Sequence, residues 1–314
     1  LKLPLKHDPE DGQLETVSTQ DKDRIQQAVA WARDDKPAYA QLYPLLEGLF
    51  ILQAEVRETL KVAPPDLDPV TVGTRREAGF PMLRRWELPL DTDAAEVILK
   101  GVQELIPDDN ALLRTAHREL EAALLDHADQ REELWRSFMH HDWEPWEEWV
   151  TTDEVDLASL IFLARSCIKP SIEKVARALL NRFPVAKEWL RGYCPVCGSL
   201  PSLLILEGEG EQKSYCSWCG SLWPIRRLQC PACDNQDHGS RGYLYVEAEP
   251  HYRVQYCEAC GVYFKQIDAR EKLYPPFLPL EELTTLHLDL LAQRAGWKQA
   301  PSPSPVVYGE GSRV

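Results

Sequence analysis

Apolar positions recur at helical spacing through the first 190 residues and then stop doing so. The spacing predicts a helix over 21–34 and a second over 37–62. In the second, Leu42, Leu45, Leu46, Leu49, Leu52 and Val56 share one face, and Pro44 suits its first turn. A proline-rich break follows at 63–70. Residues 78–91 read as a connecting segment, because Pro81 and Pro89 exclude a regular helix. Asp91 or Asp93 can cap a helix running to about Ile106, and Pro107 to Asn110 introduces another through Leu113, Leu120 and Leu124, toward Trp135. Two more are expected at 154–167 and 170–190, divided at Pro170.

Beyond Gly192 the pattern becomes short β-like runs: 203–206, 221–226, 243–246, 252–256 and 262–267. Tyr243 and Tyr245 alternate with Leu244 and Val246, as a strand requires. Helical spacing returns over 281–297. The resulting expectation is an α+β protein: an N-terminal α-helical domain, two small rubredoxin-like or zinc-ribbon metal-binding lobes and a C-terminal helix. Its divisions are a mobile leader (1–20), the helical domain (21–190), the first lobe (191–227), the second lobe (228–270) and the closing helix with a disordered tail (271–314).

The cysteines bring in the chemistry. The chain of 314 residues has nine, and eight of them form four Cys-x-x-Cys pairs: Cys194/Cys197, Cys216/Cys219, Cys230/Cys233 and Cys257/Cys260. Two residues between thiolates let both sulfurs reach one ion at about 2.3 Å. The residue after each pair needs a left-handed backbone, which Gly198, Gly220 and Gly261 adopt freely and Asp234 tolerates. Pro195 and Pro231 stiffen the first knuckle of each half. Eighteen residues lie between the first two pairs, ten between the second and third, and 23 between the last two. These gaps favour sequential pairing, with one metal on the first four cysteines and another on the last four. A four-sulfur shell suits zinc or iron, and it closes the ion to water and substrate, which argues against metal catalysis.

Charge and composition narrow the reading. The formal net charge is −15, with the acidic excess concentrated before residue 190. Such a chain repels phosphate backbones, so a zinc-ribbon nucleic-acid adaptor is a secondary reading; a rubredoxin-like electron carrier is another. No apolar run is long enough for a membrane span, and the first 20 residues lack the pattern of a secretory signal. Paired thiols in a cytoplasmic chain point to metal rather than disulfides. No nucleophile elbow, phosphate loop or acid–base dyad stands out, so the chain reads as a non-enzyme.

Other positions have two readings each. His238 is a loop histidine or an alternative ligand, and Asp268 caps a turn or meets a partner. Trp143, Trp146 and Trp149, set among acids, read first as a packed stripe and second as a partner patch. Cys167 reads as a buried free thiol.

The residues around the knuckles resemble the FdhE family of formate dehydrogenase accessory proteins. The matching stretches are Gly192-Tyr-Cys-Pro-Val-Cys-Gly-Ser199, Tyr215-Cys-Ser-Trp-Cys-Gly-Ser-Leu-Trp223, Leu228-Gln-Cys-Pro-Ala-Cys-Asp-Asn-Gln-Asp-His238 and Tyr256-Cys-Glu-Ala-Cys-Gly-Val-Tyr-Phe-Lys-Gln-Ile-Asp268. Leu283 to Leu291 resembles the family's last helix, and Gly79-Phe-Pro-Met-Leu83 with Leu88-Pro-Leu-Asp91 is a fainter match. Asp234 stands where many relatives have glycine. The resemblance is tight over 192–297 and loose over 79–297. It implies a cytoplasmic maturation factor, needed for active formate dehydrogenase, that binds the molybdenum-containing catalytic subunit. It also raises iron to parity with zinc. A homodimer is compatible with this expectation.

Overall fold

The structure is a computed structural model that describes residues 19–127, 129–140, 155–186 and 189–301. Trp143, Trp146, Trp149, residues 1–18 and residues 302–314 lie outside the described residues, and with them the expectations for a leader, an aromatic stripe and a tail. Among the described residues, seven helices precede the sheet: α1 (Thr19–Asp35), α2 (Tyr43–Thr59), α3 (Pro69–Glu77), α4 (Thr92–Gln103), α5 (Ala111–Asp126), α6 (Arg131–His140) and α7 (Leu157–Arg182). Short acceptors start four of them. Asp68, Asp91, Asn110 and Asp156 accept from the backbone N–H of Thr71, Ala94, Leu113 and Ser159, satisfying donors that a helix N-terminus leaves unpaired.

Three helical expectations need correction. First, α7 does not divide at Pro170; it runs through it. Proline has no N–H for the carbonyl four residues back, which here is Ser166, and the side chain of Gln53 on α2 donates to that carbonyl at 2.8 Å. Second, the stretch toward Trp135 is two helices, because α5 ends at Asp126 and α6 begins at Arg131. Third, the closing helix is also two, α8 (Leu278–Leu283) and α9 (Leu286–Arg294). Thr284 and Thr285 interrupt it, their hydroxyls bonding back to the Leu280 and Glu281 carbonyls at 2.9 and 2.7 Å. The short α3 was not expected, although Asp68-Pro69 is a cap followed by a proline at the first helical position.

Among the described residues, seven strands form one sheet: β1 (Leu203–Glu207), β2 (Glu211–Tyr215), β3 (Leu222–Pro224), β4 (Arg241–Tyr245), β5 (Tyr252–Cys257), β6 (Val262–Asp268) and β7 (Lys298–Gln299). The order is β3-β2-β1-β6-β5-β4, with β7 against β6. Each cysteine-bearing half contributes an antiparallel meander. The halves then join through β1 and β6, which pair in parallel from Leu203↔Lys265 to Leu206↔Asp268. The two cysteine-bearing halves are therefore continuous through backbone hydrogen bonds.

One sheet face, with Leu203, Ile205, Val254 and Ile267, packs on Leu288 and Ala292 of α9. The other, with Leu204, Val262 and Phe264, packs around Cys230 and Cys257. The largest core runs through the helices and takes in all four cysteines of the first half. Each large apolar side chain buried there contributes roughly 1.5–3 kcal/mol. A buried ionic cluster ties α8 to the turn after α1. Lys36 Nζ lies 2.5 Å from Glu281, and Tyr252 and Lys272 join the same carboxylate.

Candidate metal centres

Each Cys-x-x-Cys pair ends in the same turn. Gly198, Gly220 and Gly261 all have φ near +73°, and Asp234 has φ +57°. The N–H of each residue donates to the carbonyl of the first cysteine in its pair, at 2.8–2.9 Å. Asp234, the non-glycine member, is also held by its side chain, which accepts from Gln229 Nε2 at 2.7 Å.

The eight sulfurs converge in two sets: Cys194, Cys197, Cys216 and Cys219, and Cys230, Cys233, Cys257 and Cys260. Within each set all sulfurs lie within 4.8 Å of one another. Cys194–Cys219 and Cys197–Cys216 are separated by 3.5 and 3.6 Å, and Cys230–Cys260 and Cys233–Cys257 by 3.8 Å. A tetrahedral ion with bonds of about 2.3 Å requires sulfur–sulfur edges of about 3.8 Å. A disulfide would need about 2.05 Å, and the cysteines are free. The pairing is sequential, first half with first half and second with second.

The chemistry of the thiols agrees with a cation at each centre. Burial pushes the Cys194 and Cys219 thiols well up, and Cys233 is pushed up to about 11 by burial. The neighbouring Cys260 sulfur, followed by burial, raises Cys230. Cys197 is held low: burial opposes its ionisation, but surrounding thiols donate to its sulfur and outweigh that. A divalent or trivalent ion would let all four ionise together.

The two centres sit in different surroundings. The first is embedded against the helical body. The N–H groups of Met82 and Leu83 donate to the Pro195 and Val196 carbonyls at 2.8 and 3.0 Å. Tyr193 donates to the Gly79 carbonyl at 2.5 Å, and Lys169 on α7 to the Ser217 carbonyl at 2.7 Å. The faint upstream match at Gly79–Leu83 is thus the segment that lies along the first knuckle. All four of its cysteines are buried, whereas in the second centre Cys233 is exposed and Cys260 half-buried. The centres also abut. A Cβ added to Gly192 would lie 1.9 Å from the Pro231 carbonyl oxygen, so only glycine fits where the knuckles meet.

Three further residues adjoin the sulfurs. The hydroxyls of Ser199 and Ser221 stand 3.4 and 3.1 Å from the Cys197 and Cys219 sulfurs, within hydrogen-bonding reach of them. Asn235 Nδ2 approaches Cys257 at 3.9 Å. The repeated Cys-Gly-Ser of the first two pairs was the available signal. His238 is exposed in a single 3-10 turn and does not join the second set of sulfurs. Asp268 bonds Arg270, which holds its carboxyl below the usual range, and the pair closes the turn after β6. Cys167 is buried in α7, and burial alone raises its thiol.

No protein-family model matches the chain. A curated FdhE homolog from Aquifex aeolicus is 34% identical over 116 residues, which is 35% of this chain and 40% of that protein. Protein FdhE from Escherichia coli O1:K1 is 31% identical over 126 residues, 38% of this chain and 40% of that protein. The alignments thus take in well under half the length of these relatives. The crystal structure of the FdhE protein from Pseudomonas aeruginosa superposes on 93% of this chain and 98% of its own, with a TM-score of 0.64 and 20% identity. The FdhE resemblance carried by the knuckles is therefore present in sequence and, over nearly the whole chain, in fold.

Proposed function

We propose that this chain, FdhE-like in sequence and fold, is an accessory protein for the formation of active formate dehydrogenase. In this reading it binds the catalytic subunit of that enzyme during maturation, in the cytoplasm, and does so through the region carrying two four-cysteine metal sites. The observation that carries the proposal is the convergence of eight cysteines into two sets of four within a fold that an FdhE protein matches over 93% of this chain.

The proposed ligands are Cys194, Cys197, Cys216 and Cys219 for one ion and Cys230, Cys233, Cys257 and Cys260 for the other. Four thiolates complete a tetrahedral shell, so each ion would organise protein rather than activate a substrate. The chain is accordingly read as a binding protein and not as an enzyme. Iron and zinc both suit the donor set. No helix among the described residues is long and apolar enough to cross a membrane.

Co-purification tests the proposal. Tagged catalytic subunit, expressed with this chain in cells lacking the native accessory factor, should retain it and gain formate-oxidising activity. Absence of both retention and activation would reject the reading. The second reading, an electron carrier, rests on the exposure of Cys233. It requires iron that cycles between two oxidation states, and a protein holding only zinc after anaerobic purification would end it.

A further inference from the structure

Helix α7 lays a stripe of charged side chains under one knuckle of the first metal centre. Arg165, Lys169 and Glu173 are spaced four residues apart and so share a face of the helix. Each meets a different part of the knuckle formed by Cys216 and Cys219. The Arg165 guanidinium lies 6.0 Å from the Trp218 ring centre. Lys169 Nζ donates to the Ser217 carbonyl at 2.7 Å. Glu173 lies against Gly220, where an added Cβ would stand 3.3 Å from both its Cγ and its Oε1.

The turn itself is closed without these side chains. The Gly220 N–H donates to the Cys216 carbonyl at 2.8 Å, and the Cys216 N–H to the Ser221 carbonyl at 2.9 Å. Gly220 supplies the left-handed backbone, at φ +73°. Lys169 is only 9% exposed, and an ammonium taken out of water is costly unless charge and hydrogen bonds compensate it. Its ion partner is Glu173 at 3.3 Å, and Arg57 holds the same carboxylate at 2.7 Å. Asp21 in turn stands 4.0 Å from Arg57. The charges alternate along this chain, Asp21, Arg57, Glu173 and Lys169, and the ammonium at its end bonds inside the knuckle, between the two cysteines.

An ion at the first centre would feel both ends of the Lys169–Glu173 pair. A divalent ion leaves its four thiolates with two negative charges in excess, and a trivalent ion leaves one. Neighbouring charge therefore weighs differently on the two states, and it is one of the protein's levers on an iron–sulfur potential. Buried charges act through a low dielectric and are little screened by salt, so the effect of a single side chain is readable.

We propose that Lys169 and Glu173 set the redox level of the first centre in opposite senses. The ammonium bonded inside the knuckle favours the divalent ion, and the carboxylate against Gly220 favours the trivalent one. Lys169 is thus a positioning residue that also carries charge to the site. The change concerned is one electron, Fe(III) to Fe(II), with all four sulfur ligands kept. The inference rests on the assignment of an ion to Cys194, Cys197, Cys216 and Cys219, and not on the identity of the client.

The test uses full-length, iron-loaded protein, titrated without oxygen with dithionite and redox mediators while the ferric absorption is followed. Cys257→Ser leaves the first centre as the set with four thiols, so its iron is read alone. In that background Lys169→Met should raise the ferric-to-ferrous ratio at a fixed potential by about threefold or more, and Glu173→Gln should lower it by about threefold or more. Lys169→Arg keeps the charge and should stay within about twofold of its parent. With both centres loaded, only one of the two transitions should move.

Loosened packing alone would shift both charge-removing variants the same way, so the opposed signs are the signature. Shifts of the same sign, no shift in Glu173→Gln, or Lys169→Arg matching Lys169→Met would overturn the proposal. If Lys169→Met fails to fold, the sign of the Glu173→Gln shift decides. A folded Cys257→Ser protein that takes up no iron would reject the ligand assignment, and this inference with it. Iron bound without opposed shifts would reject the inference alone.

Discussion

Gln53 on α2 donates its side-chain amide to the Ser166 carbonyl, the one that Pro170 leaves without a backbone donor inside α7. This bond repairs the helix from outside and fastens α2 to the longest helix of the body. A Gln53→Ala substitution is expected to cost about 1–3 kcal/mol, since it strips the partner from a buried carbonyl. The cost should fall in a Pro170→Ala background, where the backbone N–H returns. Denaturant unfolding of the two single variants and the double variant measures this coupling; an unchanged cost in the second background would refute it.

Gly192 and Pro231 meet where the two cysteine clusters abut. Gly192→Ala drives a methyl into the Pro231 backbone, which no side-chain rotation relieves. The expected loss is several kcal/mol, in the range of other severe steric or strain mutations. Gly261→Ala is the control. Its added Cβ meets nothing within 4 Å, so only the cost of φ +73° remains, about 1–2 kcal/mol. Equal losses in thermal unfolding would show that contact between the knuckles does not matter.

Glu173 on α7 links acid sensitivity to the first centre's support. Burial works to raise its carboxyl, but Lys169 and Arg57, at 3.3 and 2.7 Å, outweigh this and hold it below the usual range. A depressed carboxylate contributes stability that is present above its unfolded value, about 4.3, and is lost as pH falls through the folded value. Glu173→Gln should therefore be destabilised near neutral pH, with its gap from wild type narrowing below about pH 4. Urea midpoints across that range check the sign, and a gap independent of pH would contradict it.

Metal removal should proceed in order. Exposed Cys233 and half-buried Cys260 give a chelator or thiol reagent access to the second centre, while the first has all four cysteines buried. Under mild chelation about half the metal should leave early, with the helical circular dichroism unchanged. The remainder should leave only as the helical body loosens, because the first centre belongs to its core. Simultaneous release, or early loss of helix, would show that the centres are not distinguished by burial.

The grouping of the eight cysteines into two sets of four was legible in the sequence because it depends on local rules. Four Cys-x-x-Cys pairs, three glycines and one aspartate each specify a turn within a few residues, and the same positions show left-handed backbone in the structure. Features set by distant partners were harder to read. The run through Pro170 depends on Gln53, 113 positions upstream of the carbonyl it serves. Strand β2, Glu-Gln-Lys-Ser-Tyr, is polar in sequence and is a strand because it pairs with β1. The joining of the two lobes rests on Leu203 meeting Lys265 in parallel, a pairing invisible to any local pattern.

The central claim is that two ions are held by eight named cysteines, four apiece. Metal analysis of protein purified without oxygen, together with its absorption spectrum, tests this most directly. Wild type is expected to carry about two equivalents of iron or zinc per chain. Cys257→Ser should lower the content by about one equivalent while leaving the helical body folded, and adding Cys194→Ser should remove the rest. Full-length folded protein with no bound metal, or a Cys257→Ser variant that keeps its full complement, would contradict the account.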